Sequence, residues 1–302
     1  MTRIASSGVL RVAGVDARAF LQGQLSNDLG LLTPTTSLLA SYNTPQGRVI
    51  AIPRLIQREQ ELLAILPREL IGKVTERLRR YVLRAKVTLA DASDEFLLLG
   101  MLDSDAPEST ASESRPGAHA LDGAISWVRM PGAAPRHLLL GPVREMQAAL
   151  QRLPRELPDD EEWRAGAIAA GEPQVYTETS ELFVAQMLNL DLIDALSFSK
   201  GCYTGQEIIT RTQHLGRIKR RMLRFRLQAD VEVQRGDSVT LTPGGPGRVV
   251  ERARNAAGEV EILAVVSVVG EVAASAAASA LSAVPLPLPY AIPGADRDPS
   301  NA

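Results

Sequence analysis

The chain has 302 residues, which is more than one hydrophobic core usually fills, so two or three domains are expected. Its 45% hydrophobic and 23% charged residues and its formal net charge of -2 are typical of a soluble globular protein and exclude a global attraction to nucleic acid. No apolar run approaches the roughly 20 residues that cross a bilayer, and the first eight residues contain no signal-peptide core, so a cytoplasmic, membrane-free protein is expected.

The first hundred residues predict alternating strands and helices. Asp16 is expected to cap a helix that begins near Ala17. A longer helix is predicted from Pro67 to about Tyr81, because apolar residues recur at helical spacing and basic residues, among them Lys73, Arg77, Arg79 and Arg80, occupy the other faces. A turn is predicted over 41–48, and strands over 9–14, 49–55, 61–66, 82–90 and 95–102.

The remainder of the chain predicts loops, two helices and a small barrel. An exposed loop is expected over 103–119 and a linker over 154–160. Asp160 is expected to cap a helix over 161–170 that ends at Gly171. The other predicted elements are a strand at 138–140, a helix at 144–152, barrel strands at 222–227, 238–241, 247–252 and 259–269, a helix or strand within 273–283, and a disordered tail after Tyr290.

A single cysteine, Cys202, is the first candidate for chemistry. One cysteine excludes an internal disulfide and a zinc or iron–sulfur site built from several cysteines of this chain, and the three histidines show no ligand spacing, so no resident metal is expected. A lone cysteine is often an inert buried hydrophobe. Here Gly201 allows a tight turn, and Lys200 brings an ammonium that would favour the thiolate. Both interpretations remain open on local sequence.

A basic segment follows the cysteine. It runs from Arg211 to Arg226 and contains no acidic residue. It predicts either a solvated strand between domains, an interdomain pairing surface, or a site for a small anion, and these are favoured over nucleic acid because only Phe225 offers a stacking ring. The cysteine and this basic segment are predicted to line the mouth of the same cavity.

Two further features permit a structural and a functional interpretation. Trp163 is expected either to anchor a core or to stack on a flat heterocycle. The polar segment from Leu21 to Asp28, which contains Gln24 and Asn27, is expected to be either a capped turn or one wall of a ligand cavity. The sequence has no Walker loop, Rossmann glycine fingerprint, histidine–glutamate zinc motif or G-x-S-x-G elbow.

Several segments together resemble the YgfZ family. The most specific is the octapeptide Lys200-Gly201-Cys202-Tyr203-Thr204-Gly205-Gln206-Glu207, and the resemblance spans nearly the whole chain. The supporting segments are 14–17, 20–24, Trp163-Arg164 with Ile168, Ala170, Gly171 and Pro173, 189–191, 208–211 with Gly216 and Lys219-Arg220, and 286–290.

The resemblance implies a fold similar to the tetrahydrofolate-dependent T-protein of the glycine cleavage system, an aminomethyltransferase. That is an α+β fold of three domains around a central folate cavity with a C-terminal β-barrel. The expected division is residues 1–48 with 124–218, then 49–123, 219–290, and a flexible tail at 291–302. By the same resemblance Cys202 and Lys200 are expected to be catalytic. The expected folate contacts are Trp163, Gln24, Asn27, Arg48, Tyr203, Gln206, Glu207 and Arg211.

The chain departs from these relatives at two places. Ala51 and Ile52 stand where the T-protein has paired aspartates, and neither can exchange a proton. Gly8 stands where some YgfZ proteins have a second tryptophan that contacts folate.

These departures favour a non-turnover accessory factor. In this hypothesis a monomeric, folate-binding protein supports iron–sulfur clusters in client enzymes, including tRNA-modifying ones, with assembly proteins as further partners. A one-carbon transferase using Glu207, Asp28 or Glu172 is the second hypothesis, and direct tRNA binding is the third.

Overall fold

A computed structural model describes residues 1–102, 115–150, 160–214, 218–228, 231–268 and 280–293. The predicted loop over 103–119, the linker over 154–160, the helix or strand within 273–283 and the tail after Tyr290 lie wholly or partly outside these residues.

The first sheet has five antiparallel strands and divides two cores. Alternate residues of a strand point to opposite faces, so Leu10 and Val12 pack in one apolar cluster whereas Val9 packs in another. The two longest strands are buried on both faces because both clusters need covering. In spatial order the strands are β3 (Leu38–Leu39), β6 (Arg54–Arg58), β7 (Glu61–Pro67), β2 (Ser7–Ala13) and β8 (Thr88–Asp91).

Helices and a short hairpin complete this unit. The helix predicted from Pro67 is confirmed as α2 (Arg68–Val82), whose buried residues include Leu70, Ile71, Val74 and Leu78. The strand predicted over 82–90 begins later, because the helix continues through Val82 and a turn precedes Thr88. The other elements are α1 (Ala17–Gln22), a 3-10 helix (Leu29–Leu31), β4 (Tyr42–Asn43) paired with β5 (Val49–Ala51), a 3-10 helix (Ala185–Leu188) and α5 (Gln206–His214).

The second sheet is also antiparallel and packs against two helices. One of its faces shares the core that contains Val9, and the other packs against Met146 of α3 (Val143–Leu150). Trp163, in α4 (Glu161–Ala169), reaches the first of these faces. In spatial order the strands are β1 (Thr2–Arg3), β9 (Phe96–Leu102), β12 (Arg136–Pro142), β11 (Ile125–Met130) and β10 (His119–Asp122).

These pairings correct two predicted domain boundaries. The boundary at 48/49 cuts the first sheet, because β2 pairs with β7 along its whole length. The boundary at 123/124 falls in the turn of the β10–β11 hairpin. Strand pairing therefore groups residues 7–91 in one sheet, whereas the strands of residues 96–142 join β1 in the other.

The C-terminal strands close into the expected barrel. The barrel interior is apolar and includes Phe225, Val249 and Ile262. Arg221 joins the barrel to the preceding unit through an ion pair with Asp191. In spatial order the strands are β13 (Arg220–Leu227), β16 (Val260–Ser267), β15 (Gly245–Arg254), β14 (Ser238–Thr242) and β17 (Leu281–Leu286).

Both predicted capping aspartates bond elsewhere, although both helices begin where expected. Neither Asp16 nor Asp160 makes a side-chain cap bond. Asp16 accepts a hydrogen bond from the backbone of Lys86, and Asp160 accepts from the backbone of Ser6 and from Arg164. These carboxylates therefore connect segments that are distant in sequence.

Candidate functional site

Cys202 is exposed on a loop whose backbone packs directly against the turn between β4 and β5. Gly205 has φ +84°, and a Cβ there would lie 2.5 Å from the carbonyl oxygen of Thr44. Gly47 has φ +70°, and a Cβ there would lie 3.0 Å from Cβ of Ile208. Glycine is required at both positions, because an L side chain would be strained and would separate the two turns. The contact fixes the loop that presents the thiol.

Lys200 holds the same loop from the other side. Its ammonium donates to the carbonyl oxygens of Gln22, Leu25 and Asn27 at 2.6, 2.7 and 2.8 Å. Nζ also lies 5.1 Å from the ring centroid of Tyr203. Burial lowers the pKa of Lys200 to about 8, and the negative charge of Asp28 partly offsets this by raising it. Because all three N–H groups are used, the observed contacts make Lys200 a clamp on the turn after α1.

The polar segment after α1 is mainly a hydrogen-bonded turn. Nδ2 of Asn27 donates to the carbonyls of Leu39 and Asp194, and its Oδ1 accepts from the backbone of Asp28. Asp28 accepts from Gly30, which lowers its pKa. The structural interpretation of this segment therefore accounts for Asn27, which has no unpaired atom to offer a ligand.

Three buried polar atoms around the cysteine loop lack a hydrogen-bond partner within the described structure. They are Oε1 of Gln24, Oδ1 of Asn43 and the hydroxyl of Tyr203. Burial raises the pKa of Tyr203 to about 12, so the phenol stays protonated and can donate. Native proteins rarely leave buried polar groups unpaired. Two acceptors and one donor are thus left unpaired around the loop.

A pocket of about 270 Å³ lies beside the loop. Thr204 contributes from the cysteine segment, and three cations contribute from α2. Sequence reasoning recognised these cations only as a solvated helix face. Their link to Cys202 requires the β4–β5 turn to lie between them. The lining residues are Tyr42, Asn43, Thr44, Pro45, Ile50, Lys73, Glu76, Arg77, Arg80, Tyr81 and Thr204.

Trp163 lies in a core and does not line this pocket. It is 8% exposed, and Arg136 stacks over its ring at 4.8 Å from the centroid. A Cβ at Gly100 would lie 2.3 Å from the indole, so the sheet touches the ring directly. The structure therefore places Trp163 as a core anchor and does not bring it to the loop. At Gly8 a Cβ would lie 2.4 Å from Oγ of Ser93, which leaves no space for a second tryptophan.

The remaining predicted contacts lie at or near the surface around the loop. Arg48 is exposed and donates to the carbonyl of Leu182 at 2.6 Å. Gln206 and Glu207 form the first turn of α5, and Arg211 lies in its last turn. Glu207 and Arg211 are exposed, whereas Gln206 is half-buried. Gln206, Glu207 and Arg211 therefore lie close to the cysteine in sequence, on the helix that follows it.

The predicted cavity shared by Cys202 and the basic segment is wrong for three of the four arginines of β13. Arg221 donates to both oxygens of Asp191 at 2.6 and 2.9 Å. Arg224 pairs with Glu261, and Arg226 pairs with Glu259. The acids come from distant segments, so the fold neutralises these three arginines although the stretch itself contains no acid. Arg221 instead pairs the barrel with the preceding unit, which is one of the interpretations that the sequence left open.

The positions that match the T-protein aspartates are apolar, and the candidate acid Glu172 is paired. Ala51 and Ile52 are fully buried. Glu172 is 9% exposed and accepts from Arg54 at 2.6 Å, with Arg136 at 4.0 Å. In the parts of the chain that the structure covers, no group of three or more His, Cys, Asp or Glu residues could hold a metal, and no helix has the length and apolarity to span a membrane.

The fold is that of an aminomethyltransferase of the T-protein type. The aminomethyltransferase T of the glycine cleavage system from Bartonella henselae superposes with a TM-score of 0.66, covering 88% of this chain and 77% of that chain at 12% sequence identity. This likeness confirms the predicted fold class, including the C-terminal barrel.

Within that fold the chain is similar to proteins named tRNA-modifying protein YgfZ. The protein from Colwellia psychrerythraea is 28% identical over 244 residues, which cover 79% of this chain and 75% of that protein. The protein from Hamiltonella defensa is 30% identical over 219 residues, covering 69% of this chain and 64% of that protein. No family model matches the chain. The resemblance to the YgfZ family is confirmed by these relatives.

Proposed function

We propose that this protein is a folate-binding accessory factor that supports the synthesis or repair of iron–sulfur clusters in client enzymes, including tRNA-modifying enzymes, through Cys202. The observation that carries the proposal is an exposed, unique thiol on a loop held from both sides. Gly205 packs the cysteine loop against the β4–β5 turn, and Lys200 bonds the loop to the turn after α1. The similarity to proteins named tRNA-modifying supports the choice of clients.

The chemistry proposed for Cys202 is thiol–disulfide exchange. The thiolate attacks one sulfur of a disulfide or persulfide on a client, a new S–S bond forms to Cys202, and the second sulfur leaves as a thiolate. No external oxidant or reductant is needed, because one S–S bond replaces another. Exposure of Cys202 supports this step, since access limits such exchange. Lys200 acts as a positioning residue rather than as an acid or base.

Folate binding is supported by the unpaired buried atoms of Gln24, Asn43 and Tyr203 around the loop. When bound, a folate would supply a one-carbon carrier or order the loop, and these three residues would orient it. Trp163 is not proposed as a folate contact; it is a core residue whose fluorescence can report a change nearby.

A one-carbon transferase is the alternative that the likeness to an aminomethyltransferase favours. The buried Ala51 and Ile52 and the paired Glu172 argue against it, and the exposed Glu207 is the acid that remains near the loop. Turnover of an aminomethylated substrate with tetrahydrofolate would promote this alternative. Direct RNA binding ranks below both, because three of the four arginines of β13 are paired with acids.

The test is complementation of a strain that lacks the gene, read out as iron–sulfur enzyme activity. Cys202→Ala and Cys202→Ser are expected to fail, whereas Gly201→Ala, a change in the same loop with nothing within 4 Å of the added methyl, is expected to restore activity. Full restoration by Cys202→Ala would refute the role of the thiol. Calorimetric titration with tetrahydrofolate tests the folate part separately, and no binding at millimolar ligand would remove it.

A further inference from the structure

The pocket beside the cysteine loop carries more positive than negative charge. Lys73 and Arg77 both contact Oε1 of Glu181 at 2.8 Å, and Arg80 pairs with Glu76. Three cations thus share two carboxylates. Among the residues that the structure describes, one positive charge is left in excess at a concave surface, which favours an anionic occupant.

An unpaired acceptor belongs to one of the residues that line this pocket. Asn43 lines it and is 1% exposed, its Nδ2 donates to Ser41, and its Oδ1 has no partner in the described structure. A buried amide oxygen of this kind favours a ligand that brings an N–H donor. The occupant that satisfies both features combines a carboxylate with an amide N–H.

The pocket is within reach of Cys202. Thr204 lines it and follows the cysteine by two residues, a span of at most about 7 Å between Cα atoms. The contact between Gly205 and the carbonyl of Thr44 keeps this segment against the pocket wall. A ligand held here therefore lies against the segment that carries the thiol.

We propose that this pocket is a subsite for a glutamyl group, with the carboxylate on the cations of α2 and the amide N–H on Oδ1 of Asn43. The inference rests on the proposed function, since it names the chemistry of the small molecule brought to Cys202. Two sources share that chemistry, namely the glutamyl tail of a folate and a glutamyl-containing thiol. The volume of about 270 Å³ suits a small-molecule group.

The experiment measures the binding of three probes by calorimetry at low salt. They are monoglutamyl tetrahydrofolate, triglutamyl tetrahydrofolate and S-methylglutathione. The proteins compared are the full-length native chain, the double variant Arg77→Gln/Arg80→Gln, and Arg84→Gln, an exposed charge outside the pocket, as the matched control. Where the double variant fails to fold, Arg80→Gln alone serves, because this side chain is 68% exposed.

A folate source predicts that triglutamyl tetrahydrofolate binds the native chain at least about fivefold more tightly than the monoglutamyl form, and that the double variant loses this difference. A thiol source predicts that S-methylglutathione binds the native chain and weakens about tenfold in the double variant. In either case Arg84→Gln retains the native affinity.

Three results would overturn the subsite. The first is equal affinity of the native chain and the double variant for all three probes. The second is equal loss in Arg84→Gln, and the third is displacement of the bound probe by inorganic phosphate at the same concentration, which would indicate a general anion site. Failure of the proposed folate binding is distinct, because neither folate would then bind the native chain while S-methylglutathione still distinguished the variants.

Discussion

Replacing Gly205 by alanine tests whether the cysteine loop depends on backbone contact with the β4–β5 turn. The added methyl would lie 2.5 Å from the carbonyl oxygen of Thr44, and the residue would keep φ +84°. That oxygen already accepts a hydrogen bond from Gly47 at 2.9 Å. The methyl must therefore displace a turn whose own bond depends on the contacted atom.

The expected cost follows from these two terms. A non-glycine residue in the left-handed region costs about 1–2 kcal/mol, and loss or distortion of a backbone hydrogen bond adds about 1 kcal/mol. Gly205→Ala should therefore lower the free energy of unfolding by about 2–3 kcal/mol. Gly201→Ala is the matched control, because nothing lies within 4 Å of its added methyl and its φ is not in the left-handed region.

Urea unfolding followed by far-ultraviolet circular dichroism measures both variants against the native chain, and complementation measures their activity. Gly205→Ala should shift the midpoint to lower urea and reduce activity, whereas Gly201→Ala should do neither. Native-like stability of Gly205→Ala, or equal destabilisation by both changes, would refute the claim that close backbone packing fixes the loop.

Three further changes test the surrounding contacts. Lys200→Met should lower the free energy of unfolding by about 3 kcal/mol, because it leaves three carbonyls without their donor. A native-like free energy of unfolding for this variant would contradict the claim that Lys200 fastens the loop. The hydrogen bond from Lys73 lowers the pKa of Glu181, so the stabilisation that ionised Glu181 contributes is present above its ordinary pKa of 4.5 and is lost as pH falls. Glu181→Gln should therefore flatten the acid limb of a stability–pH profile. An unchanged slope would contradict this stabilising role of Glu181. Asp191→Asn should cost about 3–5 kcal/mol in urea unfolding, because it leaves Arg221 buried beside an uncharged group, and a cost below about 1 kcal/mol would show the pair to be dispensable.

The elements that sequence predicted well are those with strong local periodicity. Helix α2 was expected from Pro67 to about Tyr81 and is observed at Arg68–Val82, because its buried residues recur at helical spacing. The four predicted barrel strands also agree within a few residues, since glycine and proline turns separate them, whereas the fifth, β17, was not predicted as a barrel strand. Local pattern is sufficient where one element buries one continuous face.

The domain boundaries required information that the local pattern does not contain. β7 lies about fifty residues after β2 in the chain, yet the two pair from Ser7 with Pro67 to Ala13 with Glu61. Both strands are buried on both faces, so their apolar runs do not indicate which neighbour they join. Residues 49–123 were assigned to one domain by resemblance, whereas the fold groups strands by pairing.

The charges around Cys202 show the same limit and explain which basic residues are available to a ligand. The arginines of β13 follow the cysteine in sequence, but Asp191, Glu259 and Glu261 neutralise three of the four. The cations that line the adjacent pocket come from α2, more than a hundred residues earlier. Gly205 and Gly47 produce this neighbourhood, because only residues without a side chain let the two turns meet. The candidate site is therefore specified by two glycines as much as by the cysteine they position.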